Sequence, residues 1–301
     1  MLYTKLKSYF KLEEHFKLSR VAYVNGNYLD FNKSLIHIED RGYQFADGVY
    51  EVFNVSESKL VDYDLHLKRL YRSLGELKIK SPIAKNTYIY HIKNIIKKNI
   101  ITDGLIYLQI TRGVAPRDHK FPTKQKSSIV ITGRHASEDE YEIKFRKGIN
   151  VTTHEDIRWG RCDIKTVSLL PNVLAKQDAY IKGASEAWLI NKEGYITEGC
   201  ASNAWILRKD NTLITHPSNN SILTGITRTS FIKGLKKHSI KFKELRFKIK
   251  DIRTAKEAFA TSATQHVTPV VKVDKIKIGN GKPGIFASKF RDVYMQALQL
   301  K

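Results

Sequence analysis

The sequence predicts an α/β protein built as two mixed, α+β units. Three observations carry this expectation. The chain has 301 residues, and domains run roughly 100–200 residues each, so two is the first count. In the first half, apolar residues recur at helical spacing in two stretches. In both halves, short alternating runs are punctuated by turn residues. Hydrophobic residues make up 42% of the chain, enough to build a core, and Gly and Pro are too few for a disordered or fibrous chain. No internal repeat or low-complexity tract interrupts the pattern.

Residues 21–29 (VAYVNGNYL) hold Asn25-Gly26 between apolar flanks, a hairpin-turn dipeptide. Residues 48–55 (GVYEVFNV) read as a strand. From Asp64 to Lys80, Leu67, Leu70, Leu74 and Leu77 recur at helical spacing, and from Tyr88 to Ile101 the isoleucines at 89, 92, 96 and 100 repeat it. Two β-rich runs follow, IYLQITRG (106–113) and SSIVITGR (127–134), separated by a Pro-containing loop. The charged, mostly polar stretch 135–147 is the linker candidate. Beyond it, GINVTTHE, EAWLINKEGYITEG, NAWILRKDNTLITHP and EAFATSA alternate apolar residues with turn signals at Lys192–Gly194 and Lys209–Thr212. A helix opens near Thr224 and runs to about His238, and a final helix covers 284–299. The expected division is an extension over 1–20, a small α+β domain over 21–139, a linker over 140–147 and a larger mixed α/β domain over 148–301.

Lys plus Arg number 52 against 30 Asp plus Glu, a formal net charge of +22. Such an excess invites a nucleic-acid or anionic-membrane reading. The lysines, however, are spread along the whole chain. They sit in stretches such as Lys97-Lys98, Lys236-Lys237 and ELRFKIK that read as solvated faces, with no nucleic-acid-binding motif beside them. No nucleic-acid partner is expected. The two cysteines, Cys162 and Cys200, lack the close pairing of a zinc site, and one pair is a thin disulfide framework for this size. The longest apolar runs fall far short of the ~20 residues that span a membrane. The N-terminal MLYTKLKSYFKLEEHFKLSR has no apolar h-region and no small-residue cleavage site, so it does not read as a secretory signal. A cytoplasmic protein without a membrane partner is the expectation.

Four clusters could carry chemistry. In RWGRCDIKTVSLLPN (158–172), Lys165 lies between an acidic residue and an uncharged run. A lysine moved out of water loses its charge easily and becomes a nucleophile toward an aldehyde, the chemistry of a Schiff-base lysine. Spacing alone reads equally well as one more surface lysine. In YITEGCASNAW (195–205), Glu198 ends a predicted strand, and Gly199 and Ala201 permit close approach of a cofactor ring; an ordinary strand-terminal turn is the plainer reading. In SILTGITRTSF (221–231), the predicted helix start offers free N–H groups, a favourable dipole and the Thr227 hydroxyl to an anion, or simply a cap at Thr224. In TRGVAPRDHKFP (111–122), Arg117 and His119 sit two apart on a loop where both could hold a carboxylate, or merely face water.

Taken in order, these clusters resemble the fold-type IV pyridoxal-phosphate enzymes, and within them the D-amino-acid transaminases. The likeness begins with EDRGYQFADGVYEV (39–52) and HLKRLYRSL (66–74). It continues through TRGVAPRDHKFP, DIKTVSLLPN, YITEGCASN, LTGITR (223–228) and AFATSATQHVTPV (258–270), and so covers roughly residues 21–300. The resemblance implies the following roles. Lys165 carries pyridoxal 5'-phosphate and later moves the Cα proton. Glu198 pairs with the pyridine nitrogen. Arg69, Ile226, Thr227, Ser262 and the backbone of Ala263 bind the phosphate. Tyr50, Arg117 and His119 trap the substrate carboxylate, with Tyr107 near the trap and with Arg117 and His119 reaching in from the other subunit of a homodimer. The implied activity is ping-pong transfer of an amino group from a D-amino acid to a 2-oxo acid. Ala263, Ala201 and Ala46 depart from the family pattern: a hydroxyl residue is usual at the first, a serine is common at the second and a glycine is frequent at the third.

Three competing readings remain. A branched-chain L-amino-acid aminotransferase shares the lysine, glutamate and phosphate groups but should lack the Arg117/His119 pair. An aminodeoxychorismate lyase shares the fold and is also disfavoured by the PRDH segment. A nucleic-acid-binding protein driven by charge predicts steeply salt-dependent binding and no chromophore.

Overall fold

The computed structural model describes residues 20–124 and 126–299. The first 19 residues, nearly all of the expected extension, lie outside the described residues. Two sheets organise the rest. The first contains β1 (Val21–Val24), β2 (Asn27–Asp30), β3 (Gly48–Ser56), β4 (Lys59–Leu60), β5 (Gly104–Thr111) and β6 (Ser128–His135). They form an antiparallel sheet in the order β2-β1-β6-β5-β3-β4. Asn25 and Gly26 both take positive φ, 48° and 104°, as a tight hairpin turn matched to strand twist requires.

Two helices, Tyr63–Glu76 and Tyr88–Lys98, cover one face of this sheet. Their apolar stripes, with Leu67, Leu70 and Leu74 on one and Ile92, Ile95 and Ile96 on the other, join Val49, Phe53, Ile106 and Ile131 in one buried core. Both helices stop earlier than periodicity predicts, and for one reason. Lys78 and Ile100 turn left-handed, with φ of 54° and 52°. The next amides, of Ile79 and Ile101, then bond back to the carbonyls of Leu74 and Ile96. This closure satisfies carbonyls that the helix end leaves free.

The expected linker segment is helical: Glu138–Lys147 forms a helix between the two sheets, and Glu142 pairs with Arg146 and with Arg291 of the C-terminal helix.

The second sheet contains β7 (Ile149–Glu155), β8 (Glu186–Ile190), β9 (Tyr195–Gly199), β10 (Asn203–Leu207), β11 (Leu213–Thr215), β12 (Phe242–Glu244), β13 (Phe247–Lys248), β14 (Glu257–Ser262), β15 (His266–Val273) and β16 (Ile276–Lys277). Its order is β12-β11-β10-β14-β15-β7-β8-β9-β13, with β16 on β15. It is mixed: β7 runs parallel to both β15 and β8. The helices Ile226–Lys237 and Ile285–Gln299 pack against it through Phe231, Leu235, Phe290 and Tyr294. The helix Leu170–Ile181, which periodicity does not reveal, lies over β8 with Ala175 and Ala179 inward. None of the helices among the described residues is long and apolar enough to cross a membrane.

Candidate active site

A cleft opens where the two sheets meet, and the segment 156–169 runs through it. Tyr50 donates its amide to the carbonyl of Lys165 at 3.0 Å, Val167 donates to that of Gly48 at 3.1 Å, and Ser73 Oγ accepts the Lys165 amide at 3.3 Å. These bonds fix the Lys165 backbone against β3 and the 63–76 helix. The side chain enters the cleft, with Nζ 4.1 Å from the centre of the Tyr50 ring. No ion pair among the described residues involves Lys165.

Glu198 is the penultimate residue of β9 and is 4% exposed. Three donors meet its carboxylate: Arg158 Nη1 at 2.5 Å and the Leu223 amide at 3.0 Å on Oε1, and Asn203 Nδ2 at 3.0 Å on Oε2. Burial pushes this carboxyl up to about 7 against the pull of Arg158. Arg158 cannot fully compensate it, because its Nε and Nη2 are given to Asp156 at 2.9 and 2.8 Å. Charge is disfavoured at Glu198 for want of a further cation beside it.

Asn203 also ties Glu198 to the neighbouring helix start. Its Nδ2 donates to the Leu223 carbonyl at 2.8 Å, and its Oδ1 lies where a Cβ on Gly225 would come within 2.3 Å. A side chain at 225 would push Asn203 out of place. Gly225, rather than Thr224, caps the 226–237 helix. The opening amides of that helix lack intrahelical partners and point their dipole outward, a ready anion site. Ile226 and Thr227 line the cleft there, opposite Ser262, Ala263 and Thr264 from the end of β14. Ala263 offers no hydroxyl, but Thr264 does, and its Oγ1 lies 3.3 Å from Ser262 Oγ.

Arg69 comes from the 63–76 helix and also lines the cleft. Its Nε and Nη2 bond both oxygens of Glu51, at 2.8 and 2.7 Å, and Nη1 donates to the Thr224 carbonyl at 3.2 Å. His66 Nδ1 lies 2.7 Å from Glu51 Oε2. Burial opposes the Glu51 charge, yet Arg69 and His66 outweigh it and hold the carboxyl at about 2.

One cleft therefore gathers Lys165, Glu198, Arg69, Ile226, Thr227, Ser262, Ala263 and Tyr50. Tyr107 lies beside Tyr50, ring centres 5.6 Å apart, and its hydroxyl donates to Gln109 at 2.6 Å. Arg117 and His119 do not line the cleft of their own chain; they sit exposed on the loop between β5 and β6. Sequence reasoning missed Arg158, Asn203, Thr264, Glu51 and His66. For Glu51 a signal existed. It takes the core-facing phase of β3 with Val49 and Phe53, and a charge there demands partners. His66 and Arg69, three apart on one helix face, supply them.

Comparison with known proteins establishes the fold and the family. Among solved structures, the branched-chain amino acid aminotransferase from Escherichia coli superposes with a TM-score of 0.83 at 21% identity, covering 93% of this chain and 94% of that one. A hypothetical aminotransferase from Mycobacterium tuberculosis, in its PLP-bound form, superposes at 0.80 with 18% identity, covering 92% and 98%. Likeness at that identity establishes the fold. In sequence, the chain is 40% identical over 264 residues to a D-alanine aminotransferase of Staphylococcus haemolyticus, covering 87% of this chain and 92% of that protein. It is 37% identical over 276 residues to one of Listeria innocua, covering 91% and 95%. The amino-transferase class IV model matches residues 48–273, and the chain belongs to that family.

Proposed function

We propose that this aminotransferase moves the amino group of a D-amino acid of the alanine or glutamate type to a 2-oxo acid, with pyridoxal phosphate held in the cleft. The observation that carries the reading is the meeting, in one cleft, of a lysine without an ion-pair partner among the described residues, a buried undercompensated carboxylate and an open helix start. These residues fit the cofactor. A protonated pyridine nitrogen beside Glu198 is the cation that this carboxyl lacks. A phosphate suits the opening amides at Ile226 and Thr227, the Arg69 guanidinium and the Ser262 hydroxyl. The amine of Lys165 suits the aldehyde.

When bound, the cofactor supplies an electron sink for the charge left at a substrate Cα. Glu198, steadied by Arg158 and Asn203, holds a proton on the ring nitrogen. Lys165 takes the Cα proton and returns it. Tyr50 packs against its Nζ. The phosphate contacts hold the cofactor equally in every state, so they serve binding rather than rate.

Arg117 and His119 anchor the substrate carboxylate in this reading, from a second copy in a homodimer. Their exposure, and the exposed Leu35, Ile38 and Tyr43 nearby, support a partner surface on this face. With two free cysteines, a reducing cytoplasm suits the enzyme.

Assay of D-alanine with 2-oxoglutarate tests the reading. Turnover should be present in the wild type and absent in Lys165→Ala, and mixing Lys165→Ala with Arg117→Ala should restore part of it after subunit exchange. Turnover of L-leucine in place of D-alanine would hand the case to the branched-chain alternative.

A further inference from the structure

We propose that Arg41, Phe45 and Asp47 form a clamp that fixes the loop bearing Arg117 and His119, so that residues remote from the chemistry set the affinity for the substrate carboxylate. The inference rests on the reading of Arg117 and His119 as the carboxylate anchor. It adds positioning residues for that anchor.

Arg41 opens the short helix Arg41–Phe45 and is 3% exposed. Its Nε donates to Asp47 Oδ2 at 2.8 Å. The rest of the guanidinium is turned toward three consecutive carbonyls of the loop. Nη1 lies 2.5 Å from the Asp118 oxygen and 3.4 Å from that of Lys120, and Nη2 lies 3.4 Å from that of His119. Asp47 is shared with Arg112, whose Nε and Nη2 donate to it at 2.7 and 2.9 Å. Arg112 in turn bonds the carbonyls of Leu77 and Lys78 at 2.8 and 3.1 Å, where the 63–76 helix ends, and lies 3.6 Å from the Phe121 ring centre. The loop is thus tied through one carboxylate to the helix end and to the start of β3.

The two proposed anchors rest on the same platform. The Arg117 guanidinium lies 4.6 Å from the centre of the Phe45 ring, and the His119 ring 5.4 Å from it. The Arg41 guanidinium also packs on this ring, at 4.8 Å. A buried Arg–Asp–Arg group adds little net stability, since desolvation offsets the attraction. Its distinct contribution is geometry. A planar guanidinium with five fixed donors sets the path of several carbonyls at once, which an ammonium cannot do.

The test uses the holoenzyme and reads loop order and kinetics side by side. Arg41→Met keeps length and apolar packing while removing the donors. Phe45→Leu removes the platform, and Phe45→Tyr keeps it. Hydrogen exchange at residues 117–121 should quicken in Arg41→Met and Phe45→Leu. KM for D-alanine and for 2-oxoglutarate should rise together by about tenfold, with kcat within about threefold, and with cofactor affinity and absorbance unchanged. Phe45→Tyr should behave as wild type. Unchanged exchange in both variants would remove the clamp. Faster exchange with unchanged KM, while Arg117→Ala raises KM, would show that loop order does not reach the substrate and overturn the inference. Unchanged KM in Arg117→Ala itself would instead remove the anchor reading, and with it the substrate half of the proposal.

Discussion

Two buried carboxylates flank the cleft, each against an arginine, and their affinities for a proton are shifted in opposite directions. Glu51 receives both faces of the Arg69 fork and the His66 ring, and sits at about 2. Glu198 receives one N–H of an arginine already committed to Asp156, and is pushed up to about 7. Both are almost fully buried, so burial does not separate them. Each receives three donors, but two of those at Glu51 come from one arginine facing it alone, whereas two of those at Glu198 are neutral amides and its arginine is shared with Asp156. In the function proposed above, the compensated carboxylate shapes the site and the undercompensated one takes the cofactor's ring nitrogen as its partner. This contrast distinguishes a residue that builds the site from one that works in it.

Breaking the compensated pair should have the largest effect. Glu51→Gln leaves the half-buried Arg69 without its charged bidentate partner, which should cost about 3 kcal/mol in stability, measured by urea denaturation of the cofactor-free protein. Arg69 should also lose its orientation, so affinity for pyridoxal phosphate should fall. A variant as stable as wild type would mean that Arg69 finds water in place of Glu51, and the contrast would collapse. Glu198→Gln should do the reverse. Turnover should drop on the order of 100-fold, because an amide cannot hold a ring nitrogen protonated as a carboxylate does. The cofactor-free variant should be no less stable than wild type at pH 8. Near-normal single-turnover rates would remove Glu198 from its role.

The contrast has a pH signature of opposite sign. Glu51 is lowered from 4.5 to about 2, so its contribution is fully present above pH 4.5 and lost as pH falls through 2. The cost of Glu51→Gln should therefore shrink, by up to about 3 kcal/mol, as pH falls across that window. Glu198 is raised from 4.5 to about 7. Its contribution is present below 4.5 and lost as pH rises through 7, so the cofactor-free wild type should weaken relative to Glu198→Gln over that range. Denaturation of wild type and both variants at pH 3, 5 and 8 reads both trends. Parallel curves for all three proteins would refute the opposite shifts.

The working half of this contrast is easier to find in the sequence than the building half. Lys165, Glu198 and the 226–237 helix start sit in short local segments whose order along the chain points to the family, and the cleft unites them. The resemblance carries Arg69 too, but not its partners Glu51 and His66, because their meaning lies in contacts between a strand and a helix. Arg158 and Asn203 escape for a like reason. Each looks like an ordinary polar residue until β9 brings Glu198 beside it. Strands and helices with clean periods are legible, whereas the helix ends at Lys78 and Ile100 are not, since non-glycine residues take the left-handed turn there. The 170–181 helix is hidden because only Ala175 and Ala179 are buried along it, too little for a clear apolar stripe.

The smallest expected effect concerns the backbone that leads from the clamp to the compensated carboxylate. Ala46 ends the 41–45 helix with φ 55° and ψ 28°. Its amide bonds to the Gly42 carbonyl at 3.1 Å, so the left-handed turn is held by the chain on both sides. Alanine there brings its Cβ against the following carbonyl, a strain of roughly 1–2 kcal/mol. Glycine removes the strain but loses more freedom on folding, roughly 0.5–1 kcal/mol. The difference favours glycine, so Ala46→Gly should stabilise the protein by about 0.5–1 kcal/mol and raise the Tm by about 2 °C. Catalysis should not change, because Asp47 next to it keeps its bonds to Arg41 and Arg112. If Ala46→Gly instead lowers the Tm, the turn tolerates its side chain at no cost. If it raises the Tm and also raises KM for both substrates, the strained alanine is part of the clamp, and the loop that it supports is tuned by rigidity as well as by charge.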